Sequence, residues 1–352
     1  MKKVICLTTL LGSSTLLAVE NLNQALSQAD VVAQVRLGAV QSENDAGKKA
    51  STLALGGALG VYTKPISGIS AGVTFYTTNA LLGKNDEVMF LSSEGKSYAI
   101  VGEAFLQASL GKSLVRAGRQ IVDTPFADSD DIGMISNTFE GYTVVNQDIT
   151  DTTVVLAKLD RWSGVDSKQS ERFTKLESKG DGVLLAGAVF EGIEKTTLQA
   201  WHYRLDEVNF NYAEAGYKTE RFTVATQYTD QDNDNRAFGL MGCVSMGDWV
   251  VSSAYNRVEG MVSNGFGGGP FFTSSEDHTV AEVVDQEALM VGAEYAIGDM
   301  TLSCTHVDFD KGANETDYLA SYAVGEALSV DLIYADMYDD GKLTRFFVNY
   351  NF

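Results

Sequence analysis

The chain has 352 residues, with 47 acidic against 26 basic side chains and a formal charge of −21. That excess of carboxylates excludes a nucleic-acid partner, whose phosphates require a basic surface. Beyond the N-terminal segment no run of apolar residues is long enough for a transmembrane helix.

Met1 to Ala18 reads as a secretory signal peptide: Lys2 and Lys3 make a basic start, Val4 to Leu17 is largely apolar, and Ala18 is a cleavage residue. Its removal takes Cys6 and two lysines, leaving 24 basic residues against 47 acidic ones and a charge of −23. Only Cys243 and Cys304 then remain, far apart and without metal-ligand spacing, so disulfides are not the source of stability. Residues 19–30 form a short periplasmic lead, with Val19 to Ala29 predicted helical. Residues 31–352 form one further unit with no linker.

Within that unit, about eighteen segments near ten residues long alternate apolar and polar side chains. They fall near 31–41, 51–64, 68–78, 97–110, 112–121, 139–147, 152–161, 182–191, 194–205, 207–217, 219–230, 235–246, 248–258, 287–297, 299–309, 316–324, 327–336 and 343–352. In the second, Leu53, Leu55, Leu59 and Val61 oppose Thr52, Ala54, Gly56, Ala58 and Gly60. In the third, Ile69, Ala71, Val73 and Phe75 oppose Ser70, Gly72, Thr74 and Tyr76. The fifteenth, where Cys304 and His306 share a face, is ambiguous. The last holds Thr344, Phe346, Val348, Tyr350 and Phe352 on one face, and Leu343, Arg345, Phe347, Asn349 and Asn351 on the other.

The connections follow a second pattern. Every other one is short, such as Pro65–Ser67, Gly111 and Gly247–Asp248. Most of the alternates are long: 42–50, 79–96, 122–138, 162–181, 259–286 and 337–342, with Leu205–Glu207 a short exception. Pro65, Pro125 and Pro270 all lie outside the segments, as ladder pairing demands. Lysines are confined to loops and strand ends, apart from Lys158. Aromatics gather at the segment ends. Together these features predict an all-β fold: a transmembrane antiparallel β-barrel of about eighteen strands in the bacterial outer membrane. Periplasmic turns are short, extracellular loops are longer, and the third loop folds into the lumen.

That loop holds Asp123, Asp128, Asp130 and Asp131 among the apolar residues Phe126, Ile132, Met134 and Ile135. A purely solvated loop has no use for such anchors, whereas a loop packed on the inner wall does. The stretch R-A-G-R-Q-I-V-D-T-P-F-A-D-S-D-D-I-G-M-I-S-N-T-F-E-G, Arg116 to Gly141, resembles the loop-3 region of OprD-type porins of the campylobacter and helicobacter branch. Leu22 to Ala39 is similar to the lead and first strand of that branch's major porins. The resemblance implies an eighteen-stranded barrel, passive diffusion of ions and small hydrophilic solutes, a loop-3 eyelet and a homotrimer among outer-membrane lipid and lipopolysaccharide.

By alternation, Arg36, Arg116, Lys158, Arg204 and Arg345 are expected on the lumen wall. Arg119 has the opposite parity and would need a bulge or the strand's end to turn inward. Glu103, Asp160 and Asp331 are the wall acids that could neutralise these cations. A basic wall facing acidic loop 3 would set the selectivity. Asp128, Asp130 and Asp131 resemble a fragment of a calcium site, but the later glutamate of an EF-hand loop is missing; no other cofactor is indicated. The glycines at 265 and 267–269 read as a flexible loop tip, because no phosphate-binding pattern follows them. His202, His278 and His306 are scattered beside no nucleophile, so the chain is not read as an enzyme. The competing expectations are a soluble exported β-sandwich acting as an adhesin or binding module, and a barrel hydrolase.

Overall fold

The computed structural model describes residues 19–81, 86–176 and 182–352. The expected signal peptide, with Cys6, lies outside the described residues. Helix α1, Leu22–Ser27, is capped by the Asn21 side chain, which accepts from Gln24 N. It sits against the first periplasmic turn: Val19 N donates to Pro65 O at 3.0 Å, and Lys64 N to Ala25 O at 3.2 Å.

Eighteen wall strands follow. They are β1 Asp30–Glu43, β2 Lys49–Tyr62, β3 Ile69–Ala80, β4 Tyr98–Leu110, β5 Ser113–Gln120, β6 Thr138–Asn146, β7 Thr152–Ser163, β8 Val183–Ile193 and β9 Thr196–Leu205. The second half comprises β10 Val208–Lys218, β11 Phe222–Gln231, β12 Asn235–Met246, β13 Trp249–Glu259, β14 Glu287–Ile297, β15 Met300–Phe309, β16 Glu315–Val324, β17 Leu328–Asp336 and β18 Lys342–Asn351. A two-residue piece, Thr174–Lys175, pairs with Arg161 and Trp162 of β7. Each strand is antiparallel to its sequence neighbours, and β18 pairs with β1, with Arg36 opposite Asn349. The ring therefore has no free edge, which is the condition for crossing lipid with strands.

The outward face explains the apolar alternation. Leu55, Leu59, Val73, Leu106, Leu240 and Leu289 are all exposed, and among the described residues there is no second sheet to cover them. This overturns the β-sandwich expectation, since a sandwich buries one face of each sheet against the other. Aromatics at the strand ends include Tyr217 on Phe222 and Trp249 on Tyr295, with ring centroids 5.9 and 4.6 Å apart. Cys304 lies outward and Cys243 on the inner side, so the two thiols are on opposite faces.

Strand edges are close to those expected. The shortest extracellular connections are 206–207 and 232–234, and 44–48, 310–314 and 337–341 are only slightly longer. Bulges at Gly102 in β4 and Asp160 in β7 shift the side-chain phase, and a third register shift lies at the turn end of β8.

The interior is not uniformly polar. Val155, Ala157, Leu159, Val183, Leu185, Trp201 and Tyr203 form an apolar inner wall on β7 to β9. The residues that cover it come from two extracellular loops.

Candidate functional site

Loop 3, residues 121–137, leaves β5 and crosses the interior. Its first half plants Phe126, 1% exposed, edge-on against Tyr203, Phe210, Tyr212 and Phe271, with centroids 5.5 to 6.3 Å apart. This is why the inner wall of β7 to β10 is apolar. Its second half packs Met134 and Ile135 with Phe90, Val40, Ile100 and Phe347. A methyl group on Gly38 would stand 2.5 Å from Met134 Sδ, so Met134 packs directly over this glycine of β1.

Between these anchors the loop is held by charge. Arg36 donates from both terminal nitrogens to the Asp131 carboxylate at 2.6 and 2.7 Å, and from Nη1 to Gly133 O at 2.7 Å. Its Nε donates to Asn349 at 2.7 Å, and Asn349 in turn donates to Asp331 at 3.2 Å. Asp331 also accepts from Ser321 at 2.7 Å. Arg345, 1% exposed, donates to Ile132 O at 3.2 Å and to the Glu276 carboxylate. The third lumen arginine, Arg116, lies over the Phe105 ring at 4.1 Å and donates to Gln107 at 2.7 Å. Glu103, on the same inner face, accepts from Tyr76 at 3.0 Å and Tyr62 at 3.3 Å.

Glu276 belongs to loop 7, residues 260–286, which the sequence reading left outside the site. It too folds inward. Phe266 N donates to Phe126 O at 2.9 Å and Asp128 N to Phe266 O at 3.0 Å, a parallel bridge between loops 3 and 7. Gly268 N donates to Asp128 Oδ1 at 3.2 Å. The glycine run is thus a closely packed contact with loop 3, not a flexible tip. Further on, the backbone N–H groups of Glu276, Asp277 and His278 rest on Asp317 and Glu315 of β16 at 3.2, 3.0 and 2.9 Å. His278 bridges Glu315 at 3.0 Å and Asp340 at 3.3 Å. The Glu315 carboxylate beside it holds the imidazole above its usual range, and the charges of Asp277 and Asp340 add to this, against the effect of burial. The only signals for this arrangement in the sequence were the length of the loop and its Gly-Gly-Gly-Pro-Phe-Phe core.

Other expected residues lie elsewhere. Lys158 pairs in register with Tyr142 and Leu184, both exposed on the outer face, and its ammonium meets Asp160 at 3.3 Å. Arg204 also pairs with Leu184 and points outward, because Trp201 and Tyr203 take the inner face of β9. Neither lines the pore. Arg119 stays on its outward parity, bound to Glu140 at 2.9 Å and stacked 4.3 Å from the Phe173 centroid. Asp160, at the bulge, serves Lys158 rather than a lumen arginine.

The loop carboxylates do not converge on a cation. Asp123 accepts from Ser129 N at 3.0 Å and Ser129 Oγ at 2.7 Å. Asp128 receives backbone N–H groups, including that of Asp130 at 3.0 Å, while Asp131 turns to Arg36. Among the described residues no group of three acids, histidines or cysteines has the spacing to hold a metal. The calcium expectation therefore does not fit this geometry.

Comparison with known proteins bears on the whole chain. A family model described as outer membrane porin, OprD family, matches residues 84–269, a little over half the chain. Among solved structures, Pseudomonas aeruginosa OpdK with vanillate superposes with a TM-score of 0.81 at 17% identity, covering 93% of this chain and 99% of that one. Pseudomonas aeruginosa OccK9 (OpdG) gives 0.80 at 16% identity, with coverage of 93% and 99%. Acinetobacter baumannii OccAB4 gives 0.77 at 16%, covering 96% of this chain and 100% of that one. No curated protein sequence matches.

Proposed function

As the chain belongs to the OprD family of outer-membrane porins, channels for small solutes rather than enzymes, we propose that it conducts ions and small hydrophilic solutes by passive diffusion, with a preference for cations set where loop 3 meets β1. One observation carries this reading. In the Arg36–Asp131 pair the arginine side chain is 8% exposed and the carboxylate 50% exposed. Arg345 is likewise covered. Arg36 and Arg345 are thus spent on tethering the loops, and at that contact a passing solute meets the acidic partner first. An exposed carboxylate at a narrow point of an aqueous path favours cations.

Purified protein in planar bilayers under a salt gradient tests this. The reversal potential is expected to report cation preference, and Asp131→Asn to move it toward zero or the anionic side. A reversal potential that is anion-selective, or unmoved by Asp131→Asn, would remove Asp131 from the selectivity step. On the quoted stretches Leu22–Ala39 and Arg116–Gly141, we further place the chain in the campylobacter and helicobacter branch of the family.

A further inference from the structure

The outer wall carries a basic patch that the channel does not use. Lys158, Leu184 and Arg204 lie on one register row across β7, β8 and β9. With neighbouring strands about 4.7–4.9 Å apart, the two cationic side chains start about 10 Å from each other and flank an exposed leucine. Toward the extracellular end of β7, Arg161 is in register with Lys175 of the two-residue piece. All four basic side chains are exposed. Among the described residues Arg161, Lys175 and Arg204 have no ion pair, and Lys158 has Asp160 at 3.3 Å.

The contrast with the β12–β14 sector is informative. There the outward arginines Arg236 and Arg257 are matched by Glu259 and Glu287 at 2.5 and 3.7 Å. The β7–β9 patch is not matched in this way, although Asp206 and Glu207 adjoin Arg204 at the hairpin tip. Tyr142, 60% exposed, and Leu184, 47%, lie in the same row, and Leu156, 49%, is the next outward residue toward the periplasm. Four exposed cations, three of them without an ion pair among the described residues, beside exposed apolar side chains suit one kind of partner: a lipid with acyl chains and a phosphorylated headgroup.

We propose that the β7–β9 sector holds a phosphorylated glycolipid of the outer leaflet, its phosphates on Lys158, Arg161, Lys175 and Arg204 and its chains along Leu184, Leu156 and Tyr142. The site is separate from the lumen, so it stands whatever ion the channel prefers.

The test is native mass spectrometry of the detergent-solubilised barrel titrated with bisphosphorylated lipid A. Each basic residue beside an anionic surface contributes roughly 1 kcal/mol, so replacing all four with glutamine should weaken binding at least about tenfold. An Arg236→Gln, Arg257→Gln control should bind like the native protein, and conductance should be unchanged in both. Lipid A stripped of its phosphates should bind the native protein at least about tenfold more weakly. Equal affinity of the fourfold variant, an equal loss in the control, or equal binding of the phosphate-free lipid would each overturn the proposal. Should the fourfold variant fail to form a heat-modifiable barrel, Arg204→Gln alone replaces it, with a several-fold loss expected and no loss overturning the assignment.

Discussion

Gly267 has φ of +126°, and an added methyl would overlap the Asp128 carboxylate. Both facts arise where loop 7 crosses loop 3. Gly267→Ala should cost about 1–3 kcal/mol of local stability. It should act by loosening the two loops and leave the barrel itself intact. The check is single-channel recording: larger or noisier open levels are expected, with the same heat-modifiable migration on a gel. A silent variant would mean that the contact does not restrict the path. Sequence reading saw those glycines but lacked the partner that makes them necessary. It did place Arg36, Arg116 and Arg345 on the inner parity, because β1, β5 and β18 alternate without interruption. It failed at Lys158 and Arg204, where the polar-inward rule is reversed. The inner face there carries Leu159, Trp201 and Tyr203 because Phe126 packs on that wall. Polarity alone cannot reveal that a lumen face is dry.

At the scale of elements, the two inward loops differ in how they are held. Loop 3 combines aromatic packing at Phe126 with the arginine tethers at Asp131 and Ile132. Loop 7 ends on a set of groups that titrate. His278 faces Glu315 of β16, Asp340 of the last extracellular loop, Asp277 of its own loop and the Phe309 ring of β15, with Arg345 of β18 bound to the adjacent Glu276. Its pKa is raised above the usual imidazole value of about 6.5. A raised histidine pKa gives stabilisation that is complete below the unfolded value and lost as pH climbs through the folded one. Loop 7 should therefore loosen on the alkaline side. Amide hydrogen exchange of residues 274–280, followed from about pH 6 to about pH 9 and corrected for intrinsic rates, should show falling protection. That fall should be absent in His278→Gln. An identical pH response in the variant would assign the effect to other groups.

At the scale of the whole molecule, the ring of strands is fixed by lipid on one side and water or loops on the other. Leu240, mid-strand in β12 and 49% exposed, lies in the lipid band. Leu240→Arg should cost about 2–4 kcal/mol if it lies near the bilayer midplane, measurable as a shift in urea unfolding in phospholipid vesicles. A cost near zero would place Leu240 outside the hydrocarbon region. Barrel closure also decides which ends meet. The β1–β18 pairing brings Arg36 and Arg345 onto one wall, from which they grip successive residues of loop 3.

The sequence by itself determined the strand count, the alternation of loop lengths and the outward apolar band. These follow from a period of two and from a bilayer that makes a mid-strand cation facing lipid costly. It also marked loop 3, because a loop carrying both carboxylates and apolar anchors must pack somewhere. Only the tertiary structure decided which inner wall is apolar, that loop 7 shares the constriction, and that Arg36 and Arg345 act as tethers. Each of these depends on contacts between segments far apart in the chain, such as Arg345 with Glu276 and Phe126 with Tyr203. Local periodicity records the face a residue takes, not the segment that comes to cover it.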